Sequence, residues 1–197
     1  CISTVAPPPI YEFEFSAVLW GPHDGVQLGG LALFGYDSEL LSIESITNPG
    51  GSNPMNQGPS NLIDYQPSDR NRVEAALIAD GGFKWYDGSF GTTGVSTLRV
   101  TLSEPAAVGS YMLASARDVR RRDPVSWTLR VLGSGGASFQ VDRRVLVAAP
   151  AARDALYPFF SLVAPPPYSP PPPVLPPSVP PPFPPAPTSP LPPSEPP

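Results

Sequence analysis

Twenty of the last 33 residues are proline, so this stretch cannot belong to a globular core. Proline fixes φ near −65° and has no backbone N–H to give to a helix or a sheet. A run such as PPPYSPPPPVLPPSVPPP, opening at Pro165, defaults to an extended polyproline II rod. At ~3.1 Å per residue the tail would span roughly 100 Å. The preceding residues hold only the other 12 of the 32 prolines and are numerous enough for one domain with a core. The composition therefore predicts four segments. They are an extended proline-containing leader (1–10), a β-sandwich (11–149), an apolar connector or docking segment (150–164) and the rod (165–197).

Charge and cysteine content narrow the function classes. A formal net charge of −5 argues against a nucleic-acid partner, which needs a clustered basic surface. No apolar run approaches the ~20 residues of a membrane span. No signal peptide is legible, and a chain starting at Cys1 is compatible with one already removed. The single cysteine forbids an intrachain disulfide. It leaves Cys1 either as a small terminal residue or as an interchain link or anchor. No Asn-X-Ser/Thr sequon occurs, so N-glycosylation is not expected.

Short strands dominate the pattern. Tyr11, Phe13 and Phe15 alternate with Glu12, Glu14 and Ser16, the period of a half-buried strand. Val26–Leu28, Leu31–Phe34, Leu40–Ile46, Thr97–Leu102, Ser110–Ala114, Ser126–Leu132 and Ser138–Val147 read as further strands. Between them lie turn clusters: NPGGSNP at Asn48–Pro54, YDGSFGTTG at Tyr86–Gly94 and GSGG at Gly133–Gly136. Only Arg72–Ala79 reads as helical. The expected class is all-β, a sandwich or barrel.

Four segments in a fixed order carry a family resemblance. They are VQLGGLALFG (Val26–Gly35), NPGGSNP, DGGFKWYD (Asp80–Asp87) and ASARDVRRRDPVSWTLRVLGSGG (Ala114–Gly136). Together they resemble the discoidin-like domain, also called the coagulation factor V/VIII type C domain, over about Tyr11–Val147. The resemblance implies a galactose-binding-like jelly-roll sandwich of about eight strands that binds carbohydrates, lipids or proteins through loops at one end. The chain departs from that pattern in its insert at Met55–Val73 and in lacking the cysteine pair of many members. Ligand loops are not carried over, because loops vary most within a family.

Candidate residues follow from chemistry. Arg120, Arg121 and Arg122, with Arg117, Asp118 and Asp123, form the densest charge cluster. It reads either as an acidic-glycan site or as a loop knitted by Arg–Asp pairs. Tyr86 is a second candidate for stacking on sugar, whereas Trp85 is expected to plug the core. No catalytic set is legible: His23 is the only histidine, no nucleophile turn occurs, and Glu12 with Glu14 is not expected to form a glycosidase pair. No cofactor is expected. Calcium on Asp64, Asp80 or Asp87 is the one metal alternative, although their spacing matches no EF-hand loop.

The tail and the connector complete the reading. Ser169 followed by Pro170, Pro171, Pro172 and Pro173 resembles the Ser-Pro-Pro-Pro-Pro unit of extensins and algal hydroxyproline-rich glycoproteins. That resemblance implies hydroxylated prolines, O-linked sugars and a cell-wall or glycocalyx location. The intracellular alternative is a proline-rich adaptor for SH3, WW or EVH1 domains. In the connector, Leu156, Tyr157, Phe159, Phe160, Leu162 and Val163 are too apolar for an idle linker. They are expected either to fold back as a strap or to dock on a neighbouring head, and the second would build a head-to-tail homopolymer. The leading expectation is a secreted structural glycoprotein forming a filament or wall layer. A stalked carbohydrate-binding module is the alternative.

Overall fold

The computed structural model describes residues 9–21, 24–63, 73–79, 84–133 and 136–163. The chain divides into two units, Cys1–Ala164 and Pro165–Pro197, and all the described residues belong to the first. The tail reading, with Ser169 and Pro170 to Pro173, lies outside the described residues. So do Cys1, most of the proposed leader, His23, Asp64 and Asp80.

The fold is an antiparallel β-sandwich. One layer is a five-stranded sheet in the order β4 (Ile43–Thr47), β6 (Ser96–Leu102), β1 (Ile10–Val18), β8 (Pro124–Leu132) and β9 (Ser138–Arg144). Facing it is a three-stranded sheet in the order β10 (Phe160–Ser161), β7 (Val108–Ala114) and β3 (Gly30–Gly35). A two-stranded ribbon pairs β2 (Val26–Leu28) with β5 (Trp85–Asp87).

Alternation decides which side chains enter the core. On β1, Tyr11, Phe13 and Phe15 point inward, and Glu12 and Glu14 point to solvent. The outward carboxylates are met from neighbouring strands, Glu12 by Arg99 at 2.7 Å and Glu14 by Arg130 at 2.9 Å. Inside, Phe13 meets Tyr111 of the opposite sheet edge-on, with ring centroids 5.2 Å apart, and Phe15 lies between Trp85 and Trp127. Trp85 thus sits in the core, as the sequence leads one to expect.

β3 and β7 are buried along their whole length because both faces are covered. Leu31, Leu33 and Leu113 face the main core, whereas Ala32, Phe34 and Met112 form a second apolar layer. Val73 and Leu77 of the helix α1 (Val73–Ala79) and Leu156 pack on that second layer. The approach is close: a Cβ on Gly30 would lie 2.7 Å from Leu77 Cδ2, so the leucine side chain would have to shift.

The connector is a strap on its own sandwich. Tyr157 donates its backbone N–H to Leu113 O, Phe160 pairs with Tyr111, and Leu162 N–H reaches Gly109 O, so the segment runs along β7. Tyr157 and Phe160 are core residues: both pack against Trp127, and the Tyr157 hydroxyl donates to Pro124 O at 3.0 Å. Arg153 clamps the strap with a two-pronged ion pair to the fully buried Asp123, at 2.5 and 2.8 Å. Of the six connector residues, Tyr157 and Phe160 are therefore occupied within the chain, and Leu156 and Leu162 are partly buried against its core layers. Only Phe159 (45 % exposed) and Val163 (94 % exposed) offer much surface.

This placement corrects the idea that the sandwich ends at residue 149. Losing two core aromatics costs about 3–5 kcal/mol each, comparable with the whole stability of a domain. A chain cut after Pro150 is accordingly expected to unfold or aggregate. Arg153→Ala should cost about 3–5 kcal/mol in a denaturant titration, because it strands a buried carboxylate. Burial already pushes the Asp123 carboxyl up despite Arg153, and loss of the guanidinium should push it further. The Arg153→Ala deficit should consequently be largest at neutral pH and shrink on acidification. A deficit independent of pH would refute this role for the pair.

Candidate loop-end site

Several chain turns converge where β1 ends. Leu19 N–H bonds to Asp123 O at 3.0 Å, tying the end of β1 to the start of β8. The chain then turns at Gly21, with φ +92°, which leaves Trp20 outside the sandwich. Trp20 is 74 % exposed, whereas Trp85 and Trp127 are buried.

Asp24 gathers the cluster. Arg122 donates to its carboxylate at 3.1 Å, and Arg121 makes a closer contact with the other oxygen. Both arginines come from the 3-10 turn Arg120–Arg122 that precedes β8. Arg122, assisted by Arg121, holds the Asp24 carboxyl below the usual carboxylate range. The Arg122 guanidinium also lies over the Tyr86 ring, 4.6 Å from its centroid, and the Tyr86 hydroxyl donates to Asp24 O at 3.0 Å. Gly25, with φ +84°, permits this contact, since a Cβ there would lie 2.5 Å from the Tyr86 ring.

Further contacts fix the ribbon that carries Tyr86. Lys84 Nζ reaches Asp118 at 2.5 Å and Gln27 Oε1 at 3.0 Å, and Gln27 in turn donates to Val119 O. Partial burial works against the Asp118 carboxylate, but Lys84 outweighs it and lowers its pKa. Below Tyr86, the buried Asp87 accepts from Ser52 N–H, Ser89 N–H, Ser89 Oγ and Ser96 Oγ. Burial opposes its ionisation, yet the hydrogen bonds from Ser89, Ser96 and Ser52 win and hold its pKa below the usual range. Asp87 is thereby committed to its loop. No group of three or more His, Cys, Asp or Glu that could hold a metal occurs among the described residues.

The surface feature built here is a depression of about 300 Å³ lined by Trp20, Gly21, Asp24 and Arg121. It combines an exposed indole, a guanidinium and a carboxylate, the set that stacks on a sugar ring and pairs with its hydroxyls. The structure brings together three of the four proposed glycan residues, Tyr86, Arg121 and Arg122. Of the four only Arg121 lines the depression, and Arg120 stays exposed. Arg–Asp pairing also knits the cluster, but through Asp24 and Asp154 rather than within the 117–123 segment. Sequence reasoning missed Trp20 and the organising role of Asp24. The available signal was Trp-Gly-Pro, which ends a strand with an aromatic at the corner.

The described residues thus form a β-sandwich with a polar-aromatic depression at one loop end. No family model, curated protein or solved structure matches this chain.

The Asp87 network predicts a pH signature. Asp87→Asn should cost about 2–3 kcal/mol at neutral pH, since hydrogen bonds to a charged group are weakened. A lowered carboxyl pKa contributes stability above the ordinary value near 4 and loses it as pH falls through the folded-state value. The difference between wild type and Asp87→Asn in thermal melts should therefore narrow in acid, and a constant or widening difference would contradict it.

Proposed function

We propose that this chain is a non-catalytic extracellular protein whose sandwich holds a saccharide at the Trp20 loop end and whose proline-rich arm acts as stalk or spacer. The observation that carries this reading is Trp20, an indole held in solvent beside Arg121 and Asp24. A large exposed aromatic forgoes the burial that the other two tryptophans gain, and such residues anchor binding surfaces. The discoidin-like jelly roll and the hydroxylated, O-glycosylated polyproline II tail belong to the same proposal. The first rests on the RDPVSWTLRVLGS segment leading into β8, and the second on the composition after Pro165. A wall or glycocalyx location follows from both.

The test is a glycan array probed with the full chain and with Trp20→Ala. Binding should fall at least tenfold in the variant while the melting midpoint stays unchanged, because Trp20 contributes little to the core. Equal binding by Trp20→Ala, or no binding by either protein, would defeat the proposal. Amino-acid analysis of native material should find hydroxyproline.

Self-assembly is the second reading, favoured by the exposed Phe159 and Val163 at the end of the strap. On this reading a head-to-tail polymer uses these two residues, not the four that pack against their own sandwich. Light scattering on the full chain should show oligomers that Phe159→Ser/Val163→Ser reduces to monomers. A monomeric wild type across a wide concentration range would remove this reading.

A further inference from the structure

The outer face of the five-stranded sheet carries a second depression, about 450 Å³ in volume, which shares no lining residue with the loop-end depression. Strand register assembles it. Glu14 on β1 lies opposite Thr128 on β8, which lies opposite Arg143 on β9, and Arg130 lies opposite Gln140 in the next row. Three register shifts border this floor, two between β1 and β8 and one between β8 and β9. The β1–β8 register shifts between Phe15 and Val18, and the β8–β9 register shifts between Leu129 and Arg130. Bulges of this kind bend a strand and re-aim side chains, and they are enriched beside binding sites.

The charges in the depression do not cancel. Glu14 is engaged by Arg130 at 2.9 Å, and Arg144 by Asp142 at 2.7 Å. Arg143 lines the depression with no ion-pair or hydrogen-bond partner among the described residues. Of the three guanidinium groups in the depression, Arg143 is thus the one left without such a partner among the described residues. Around it stand hydroxyl and amide groups, Ser16, Thr128 and Gln140, and the only aromatic in the lining is the buried Trp127. Such a surface suits a ligand rich in hydroxyls and carrying one oxyanion, held by hydrogen bonds and an Arg fork instead of by stacking.

We propose that this sheet face binds an acidic saccharide unit, a uronate carboxylate or a sulfate ester, with Arg143 as the anion's partner and Thr128 and Gln140 on its hydroxyls. The site is separate from the loop end and does not depend on Trp20.

The experiment is calorimetric titration of the full chain with trigalacturonate, a sulfated disaccharide and a neutral cello-oligosaccharide at low and near-physiological ionic strength. One of the acidic ligands should bind, more weakly as salt rises. Preference for trigalacturonate would assign the carboxylate, and preference for the sulfated disaccharide the ester. Arg143→Gln should weaken that binding at least about tenfold, the size expected for one charge-assisted hydrogen bond. Gln140→Ala should weaken it less, and Trp20→Ala should leave it unchanged. Arg143 is exposed, so melting of Arg143→Gln should match wild type. Absence of acidic-ligand binding would overturn the proposal. So would binding that survives Arg143→Gln, or binding lost with Trp20→Ala alone.

Discussion

The Tyr111 side chain joins the two layers of the sandwich, and the rest of the structure leans on it. Its ring stands edge-on to Phe13 of the five-stranded sheet and stacks on Phe160 of the strap, 5.0 Å between centroids. Its hydroxyl accepts from Trp127 Nε1 at 2.8 Å and donates to Asp142 at 2.6 Å. Burial and the neighbouring Asp142 carboxylate push the phenol pKa up, so the hydroxyl keeps the proton it donates. Asp142 then holds Arg144, and Arg144 reaches Ser161 O and lies over the Phe160 ring. A single polar chain therefore links β7, β8, the edge strand β9 and the strap. Because every member has a partner, hydrogen bonds offset the cost of desolvating these polar groups.

The loop end is tied to this frame. β8 is held by Tyr111 through Trp127 and by the strap through Asp123 and Arg153. The turn that presents Arg121 and Arg122 immediately precedes β8, and the end of β1 is bonded to that junction. Tyr86 arrives on a ribbon fixed by Asp87 and Lys84. Trp20 thus stands on a corner whose supporting groups come from four separate parts of the chain.

Much of the frame was legible, and the failures have physical causes. The alternation of β1 and β6 showed plainly because one face is solvated, with Glu12 meeting Arg99 there. The extent of β3 and β7 was not fixed by period, since α1 and the strap cover their second face and bury polar Ser110 with apolar Met112. β9 reads as a solvent-facing strand, yet Asp142 and Arg144 turn inward because Tyr111 and Ser161 receive them. The connector's apolar character was visible, but its destination was not, because an apolar segment fits its own sheet or a neighbour's equally well. Arg153 was the missing clue, for the carboxylate it pairs with is the fully buried Asp123, 30 residues earlier. Three members of the loop-end cluster were found from residue type, while Trp20 and Asp24 emerged only once the turns were in place.

If the exposed indole receives a sugar while the other two tryptophans serve the core, the three should respond differently to ligand. Nuclear magnetic resonance of the full chain, labelled with nitrogen-15 and titrated with the best-binding oligosaccharide, reads the three indole N–H groups at once. Saturable movement of the Trp20 resonance, with those of Trp85 and Trp127 still, is the expected result. Saturable binding that leaves the Trp20 indole unmoved would contradict a sugar site at this corner.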